Sequence, residues 1–268
     1  MKRLPCVAGY FYPGRKDDLL RTLERLINAE LKKEKAIAVV SPHAGYEYSG
    51  FVAGATFSSV SIPDNVIILG PSHRAVLSRF AIMTEGTWET PLGVVPIEEN
   101  LAKIILKNCN LLSDDPDAHV NEHSLEVQLP FLQFIKPNIS IVPLIIAYNA
   151  SFGDLEELGK AIAKSINGFK KEVLIVASTD MSHYVDSITA KEKDFLAIKK
   201  IEKLDARGLY DIIQEKDISM CGFQPTTVAI VAAKELGAKK GELKMYRTSG
   251  DVTGDYKEVV GYAGMLIK

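Results

Sequence analysis

The segment Val66-Ile-Ile-Leu-Gly-Pro-Ser-His73 joins an apolar strand to a tight turn and a histidine, and it is the clearest indication of fold class in this 268-residue chain. Continuous apolar runs that are rich in β-branched residues are typical of strands covered on both faces, as in parallel sheets. Similar runs predict strands at 37–41, 139–146 and 173–178. Together these strands predict a largely parallel sheet at the centre of the protein.

Amphipathic helical patterns lie between the predicted strands. Residues 17–33 place Leu19, Leu23 and Leu31 on one stripe and open with two acidic residues, as a helix N-terminus prefers. Further helices are predicted at 155–166, 195–204 and 226–236, the last of them directly after Pro225. Strands that alternate with helices predict an α/β fold, namely a three-layer α/β/α domain with a mostly parallel central sheet.

The chain carries no sign of a division into domains. We find no internal repeat, no low-complexity tract and no flexible joint, and we therefore expect a single domain over residues 1–268. Residues 81–96 are rich in Thr, Gly and Pro, and their apolar runs are short. They are predicted to form a hairpin or an edge excursion of the sheet rather than a linker.

The composition excludes several classes of function. With 32 basic and 34 acidic residues the net charge is −2, which offers no general attraction for nucleic acid. No segment approaches the roughly 20 apolar residues that cross a bilayer, and Pro and Gly interrupt the N-terminus before a signal-peptide core can form. We expect a cytoplasmic protein that binds neither nucleic acid nor membrane. The 3 cysteines lack CxxC spacing, which argues against a disulfide framework and a four-cysteine zinc site.

Histidines recur at the ends of the predicted strands. His43, His73 and His183 each lie in the turn that follows a strand, and Asp180 accompanies His183. In open parallel sheets, ligands bind in the crevice outside the carboxyl ends of the strands. A single histidine is more often a hydrogen-bonded structural residue, but three such turns on strands about 5 Å apart predict imidazoles that share one metal ion. The alternative is that these residues only shape turns.

Cys221 precedes the helix predicted after Pro225, where the positive end of the helix dipole favours a thiolate. Such a thiolate is a candidate metal ligand. It is also a candidate nucleophile, with His183 or His43 as base and Asp180 as orienter. Packing of the helix against its neighbours is the structural alternative.

The other two histidines lie in one segment, Asp117-Ala-His-Val-Asn-Glu-His-Ser-Leu-Glu126. His123 and Glu126 are spaced i, i+3, which predicts one helical face that either borders the crevice or forms an ordinary surface pair. His119 is expected on the surface. Arg74, next to His73, is a candidate for holding an anionic group, with a surface salt bridge as the alternative.

Several strings in this chain occur together in one known family. SPHAGY, ILGPSH, NEHSLEVQLPF, ASTDMSHY and MCGFQP, with AGYFYP near the start and VVGYAGML near the end, resemble the Memo family. Prokaryotic members of that family are also called AmmeMemoRadiSam system protein B. The strings occur in order along nearly the whole chain, so the resemblance is specific. It implies a fold shared with class III extradiol dioxygenases, the non-haem iron enzymes that open catechol rings.

The resemblance also implies roles for individual residues. His43 and His73 match the metal-binding histidines of the family, and Cys221 falls where the dioxygenases carry a glutamate ligand. His183 matches the position of an acid/base histidine. Asp180 belongs to the same motif as His183 and is implied to face the same pocket, so His183 and Asp180 are the expected catalytic residues.

The expected cofactor is a metal ion. A thiolate is softer than a carboxylate and favours copper(I), zinc or thiolate-bound iron, so aromatic ring cleavage is not carried over from the dioxygenases. The first hypothesis is therefore a redox enzyme that uses iron(II) or copper, with zinc as a further option, on an unknown small molecule. A zinc hydrolase is a third and weaker hypothesis.

The second hypothesis is a non-enzymatic protein that binds a peptide or another partner in the same crevice. Its candidate aromatic anchors are Tyr46, Tyr48, Phe51, Trp88 and Tyr184, each of which is as readily explained by ordinary packing. The family name implies a functional link to a radical-SAM protein. A homodimer is the commonest arrangement among soluble proteins and is the default expectation here.

Overall fold

The computed structural model describes residues 1–74 and 79–268. Its strands in these ranges are β1 (Lys2–Arg3), β2 (Ala38–Ser41), β3 (Asn65–Pro71), β4 (Phe80–Ile82), β5 (Thr87–Thr90), β6 (Gly93–Pro96), β7 (Leu112–Asp114), β8 (Ser140–Ile146), β9 (Val173–Ser178), β10 (His183–Val185), β11 (Gly241–Thr248) and β12 (Val259–Ile267). Its α-helices are α1 (Lys16–Leu26), α2 (Tyr46–Ser58), α3 (Glu99–Asn108), α4 (Leu129–Ile135), α5 (Phe152–Phe169), α6 (Ser187–Glu202), α7 (Ala206–Glu215), α8 (Phe223–Glu235) and α9 (Gly250–Thr253).

The large sheet has the strand order β10-β12-β2-β9-β3-β8-β4-β7, and β11 also pairs with β12. Its central strands β2, β9, β3 and β8 run parallel to one another. The flanking pairs β12 with β2 and β4 with β8 are antiparallel. The four strands predicted from sequence are these central strands, and their predicted bounds agree with the observed ones to within one residue.

Helices cover both faces of the sheet, as β12 illustrates. Side chains alternate between the two faces of a strand, so residues three positions apart point in opposite directions. Gly264 lies against Val52 and Thr56 of α2, whereas Gly261 lies against Asp194 of α6. The absence of a side chain at both glycines lets the two helices approach the strand closely. The expected three-layer α/β/α architecture with a mostly parallel central sheet is confirmed.

The first helix is shorter than the 17–33 span predicted from sequence. It ends at Leu26, because Gly54 of α2 packs directly on the Leu26 carbonyl group and Ile27 turns into an extended conformation. The chain then follows the end of α2, where the backbone N–H of Asn28 donates to Ser58 Oγ at 2.9 Å. Leu31, predicted on the buried stripe, is exposed. The amphipathic pattern was overridden by a contact with another helix.

Within the stretch 81–96, residues 87–96 form a hairpin, as expected. Strands β5 and β6 pair antiparallel, and β1 joins them in parallel to make a second small sheet. This pairing brings the N-terminus of the chain against the body of the protein and buries Arg3. Among the described residues, no helix combines the length and apolarity that a membrane span requires.

The topology places the turns of interest side by side. Strand β9 lies between β2 and β3, and Ser178 is in register with Ser41 at the carboxyl ends of β9 and β2. The turns that begin at Pro42, Ser72 and Thr179 therefore open on the same edge of the sheet.

Candidate metal centre

Three imidazoles meet at this edge of the sheet. One ring nitrogen from each of His43, His73 and His123 lies within 4.8 Å of the other two. The ring centroids are 5.1 Å apart for His43 and His73, 5.5 Å for His43 and His123, and 4.5 Å for His73 and His123. Distances of this size allow one metal ion to contact all three nitrogens after small ring rotations.

His43 is buried directly after β2 and is held by polar groups on two sides. Its ring Nδ1 lies 2.9 Å from Ser178 Oγ, and its backbone N–H donates to Asp180 Oδ1 at 2.8 Å. Burial and the neighbouring rings of His123 and His73 hold the pKa of His43 well below its usual value. The ring is therefore neutral at pH 7, which is the form that binds metals.

His73 follows β3 and is oriented by Glu122. Its ring Nδ1 lies 2.9 Å from Glu122 Oε1, and its backbone N–H donates to Glu122 Oε2 at 2.7 Å. Ser124 N–H also donates to Oε1, at 2.8 Å. Burial acts to raise the pKa of Glu122, but these hydrogen bonds outweigh it and lower the pKa to about 2. Glu122 is thus an anion in contact with the cluster.

His123 belongs to the cluster itself, although its spacing predicted a position bordering the crevice. It lies in a non-helical turn, so the predicted helical face shared with Glu126 does not exist. Its ring packs edge-on against Phe11 with centroids 4.8 Å apart. Burial lowers the pKa of His123 to about 4, so this ring too is neutral at pH 7. Its Nδ1 is 3.6 Å from Glu122 Oε1.

Cys221 lies beside the cluster, in the turn before α8. Its sulfur is 3.3 Å from His43 Nε2 and accepts a hydrogen bond of 3.3 Å from the backbone N–H of Asp180. The group of mutually close ligand atoms in the described part of the chain contains the three histidines and not this sulfur. Burial and the nearby carboxyl group of Asp180 raise the pKa of the Cys221 thiol. The helix-dipole argument from sequence predicted the opposite direction.

Asp180 connects the turn after β9 to the turn after β2. Its Oδ1 accepts the backbone N–H groups of His43 and Ala44, and its Oδ2 is 3.9 Å from His43 Nε2. Burial raises the pKa of this carboxyl group, and the hydrogen bond from His43 N–H opposes that effect.

His183 follows the turn that begins at Thr179, at the same edge of the sheet, and is the first residue of β10. Its Nδ1 is 2.8 Å from the carbonyl oxygen of Ser219, and its backbone N–H donates to Ser219 Oγ at 2.7 Å. Because a carbonyl oxygen only accepts, His183 carries its proton on Nδ1 when neutral, and Nε2 keeps a lone pair.

Two other residues predicted around the site, Glu126 and Tyr46, serve different contacts, and a third, Arg74, is exposed. Glu126 is buried in an ion pair with Arg3 and accepts the Tyr12 hydroxyl at 2.6 Å. Tyr46 is buried in the core, where its hydroxyl donates to Val127 O at 2.8 Å. Arg74 is exposed on the turn that carries His73.

His119 was expected on the surface and is fully buried. Its Nδ1 donates to the carbonyl oxygen of Asp115 at 3.0 Å, and its ring packs edge-on against Trp88. The backbone carbonyl of His119 accepts Arg3 Nε at 3.0 Å. Burial lowers the pKa of His119 to about 4. This residue supports the fold at a distance from the cluster.

The donor set fits a transition-metal ion. Neutral imidazoles with an adjacent thiol suit iron, copper and zinc, and they suit magnesium or calcium poorly, because those ions prefer oxygen ligands. Three imidazoles also leave coordination positions for a substrate or solvent molecule. We therefore regard the cluster as a candidate transition-metal centre.

Three important residues were missed from the sequence: Glu122, Ser178 and Gln128. Glu122 and Gln128 lie in the same string as His123, and Ser178 closes the strand before Asp180. A carboxylate adjacent to a candidate histidine is the one local signal that pointed to Glu122. No local sequence signal indicated Ser178 or Gln128, because their hydrogen bonds join residues that are far apart in the sequence.

Comparisons with known proteins identify the family and the fold of this chain. A family model described as Memo-like protein matches residues 3–266. A MEMO1 family protein of Methanopyrus kandleri is 40% identical, in an alignment covering 100% of this chain and 99% of that protein. A MEMO1 family protein of Thermotoga neapolitana is 41% identical, with 100% of both chains covered. An uncharacterized protein of Escherichia coli K12 has a similar fold, with TM-score 0.62 and 12% identity over 87% of this chain and 100% of that one.

Proposed function

The chain belongs to the Memo family, and we propose that it is a metal-dependent redox enzyme whose metal ion is bound at the histidine cluster. The observation that carries this proposal is the close approach of ring nitrogens from His43, His73 and His123, all within 4.8 Å, with the Cys221 sulfur 3.3 Å from one of them. His43, His73 and Cys221 were the ligands expected from sequence, and His123 is added to them here.

Iron(II) or copper is the proposed metal, with zinc as the further option. A mixed set of imidazole and thiolate ligands suits all three ions, and geometry and supply select among them. When bound, iron or copper would supply electron transfer, whereas zinc would only polarise a coordinated substrate. Binding through sulfur requires Cys221 to lose its proton, since only the thiolate is a strong ligand.

Two residues at the rim are proposed to handle protons. His183 presents an Nε2 lone pair, because its Nδ1 proton is held by Ser219 O at 2.8 Å. It is therefore suited to accept a proton from a substrate bound in front of the cluster. Asp180 holds the His43 turn through two backbone N–H groups and faces the thiol of Cys221. We propose that it accepts the proton that this thiol releases and passes it to solvent.

The decisive experiment is elemental analysis of protein purified anaerobically without chelators, with wild type compared to His43→Ala. Near-stoichiometric iron or copper that disappears in the variant supports a redox centre and justifies oxygen-uptake assays. Stoichiometric zinc alone would favour hydrolysis. Metal-free protein that also rejects added metals would contradict the proposal.

A second candidate function is binding of a partner peptide. It is favoured by Tyr184, a residue that is 76% exposed and lies next to His183. Tyr48 and Phe51 are also partly exposed, whereas Tyr46 and Trp88 are buried and are not available as anchors. Peptide binding that persists in metal-free His43→Ala protein would support this candidate.

We further propose a cytoplasmic location, a functional link to a radical-SAM protein and a homodimeric state. Co-purification tests the link, and light scattering tests the homodimer.

A further inference from the structure

We propose that Glu122 and Ser178 are the positioning residues of the metal centre, and that they fix His73 and His43 in the tautomer whose Nε2 lone pair is free to bind metal. The inference rests on the proposed metal-binding function and concerns residues outside the expected ligand set. It follows from a complete account of donors and acceptors around the two rings.

Glu122 fixes the tautomer of His73 by direct contact with the ring. Its carboxylate has three hydrogen-bond partners, namely the backbone N–H groups of His73 and Ser124 and the ring Nδ1 of His73. A carboxylate anion only accepts, so Nδ1 of His73 must carry a hydrogen. Neutral His73 then has its lone pair on Nε2. The buried anion also increases the electron density of that ring, as carboxylate partners of metal-binding histidines generally do.

At His43 the same result is reached through a hydroxyl group. Ser178 Oγ has a single proton, which it donates to the carbonyl oxygen of Ser124 at 2.7 Å. The side-chain NH₂ of Gln128 donates to Ser178 Oγ at 2.8 Å and to Pro42 O at 2.9 Å. Ser178 Oγ therefore has only acceptor capacity left, and Nδ1 of His43 must donate to it. His43 also keeps its lone pair on Nε2.

Segment 122–128 contributes to the orientation of both rings. It supplies Glu122 for His73, and it supplies Ser124 and Gln128, which bind Ser178 Oγ, for His43. The groups behind the two rings differ in charge, because His73 is backed by an anion and His43 by a neutral hydroxyl group. His73 is thus the stronger electron donor of the two, and loss of Glu122 should weaken metal binding more than loss of Ser178.

The test uses Zn²⁺ as the probe and Glu122→Gln as the variant. A glutamine presents one acceptor oxygen and an NH₂ group that opposes the N–H donors of His73 and Ser124. We expect Zn²⁺ affinity, measured by competition with a chelator, to fall roughly 10- to 100-fold. In metal-free protein of this variant, ¹⁵N NMR of labelled histidines should show a mixture of the Nδ1–H and Nε2–H tautomers of His73 in place of the Nδ1–H tautomer alone.

Glu126→Gln is the matched control, because Glu126 is equally buried in the same segment but holds Arg3 and Tyr12 instead of the cluster. Its folded fraction should bind Zn²⁺ as wild type does. Ser178→Ala should change the tautomer of His43 alone, and it carries the test if Glu122→Gln does not fold. The proposal would be overturned if Glu122→Gln and Ser178→Ala both kept wild-type Zn²⁺ affinity and wild-type histidine tautomers. It would also be overturned if Glu126→Gln lost as much Zn²⁺ affinity as Glu122→Gln. If wild type binds no metal, the proposed function fails, and the tautomers still decide this inference.

Discussion

The sulfur of Cys221 lies 3.3 Å from Nε2 of His43, although 178 residues separate the two along the chain. With Nε2 carrying a lone pair, the thiol of Cys221 is the donor in this contact. A metal ion bound by both groups replaces that proton. The contact thus links metal binding to proton release and to the loss of a hydrogen bond.

Cys221→Ser should lower metal affinity and remove the sulfur from the coordination sphere. Serine is a much poorer ligand for a soft ion than a thiolate. With Co²⁺ as a spectroscopic probe, wild type should show sulfur-to-metal charge-transfer absorption and the variant should not. Cys109→Ser is the control, since Cys109 is buried at the end of α3. Charge-transfer bands that survive in Cys221→Ser would show that this sulfur is not a ligand.

Zinc affinity should rise with pH in wild type. The pKa of the Cys221 thiol is raised by burial and by Asp180, so the thiol is protonated at pH 7 and binding through sulfur releases one proton. Mass action then gives about a tenfold gain in affinity per pH unit below that pKa. Titrations between pH 7 and pH 9 in two buffers measure the released proton. A flat profile, or the same slope in Cys221→Ser, would contradict the assignment.

Replacing Arg3 by Met should destabilise the protein strongly at neutral pH. Arg3 and Glu126 form a fully buried ion pair, and removal of one partner of such a pair costs about 3–5 kcal/mol. Urea unfolding at pH 7 measures this loss. A change below 1 kcal/mol would show that the carboxylate finds other partners.

The acid dependence of the same pair has a defined sign. Burial acts to raise the pKa of Glu126, but Arg3 and the Tyr12 hydroxyl outweigh it, so the folded-state pKa is lowered. The stabilisation is complete above the unfolded-state pKa and is lost as pH falls through the lower folded-state value. The difference in unfolding free energy between wild type and Arg3→Met should therefore shrink as the pH is lowered. A difference that grows towards acid pH would reverse the assignment.

Gly222→Ala should disturb the cluster from outside the ligand set. An added methyl group at Gly222 would overlap the Ser178 carbonyl oxygen and lie 2.5 Å from Thr179 Cβ. Overpacking of this kind costs about 1–3 kcal/mol and should move Cys221 away from His43. Both stability and Zn²⁺ affinity should fall. Gly168→Ala in α5 meets open space and should stabilise the protein by about 0.5–1 kcal/mol with unchanged affinity.

Part of the site was predictable from local pattern. His43 and His73 follow strands whose apolar runs identify them as the buried centre of a sheet, so their place at its carboxyl edge needed no coordinates. His123 was harder, because its spacing to Glu126 suggests a helix and the structure has a turn there. Glu126 was placed near the metal by that false periodicity, and it instead holds the N-terminal segment through Arg3.

The positions of the central parallel strands, and the edge at which the histidines gather, were predictable from the sequence, because burial on both faces demands continuous apolar runs. The order of those strands in the sheet, β2-β9-β3-β8, was not. The membership of the cluster was decided by the tertiary structure. Glu122 reaches His73 across 49 residues from a loop outside the sheet, and Ser178 reaches His43 across 135 residues. The sheet register, which pairs Ser178 with Ser41, sets the second contact. Periodicity reports which face of an element is buried, whereas hydrogen-bond partners depend on how distant elements pack. That packing converts neighbouring histidines into an oriented set of metal ligands.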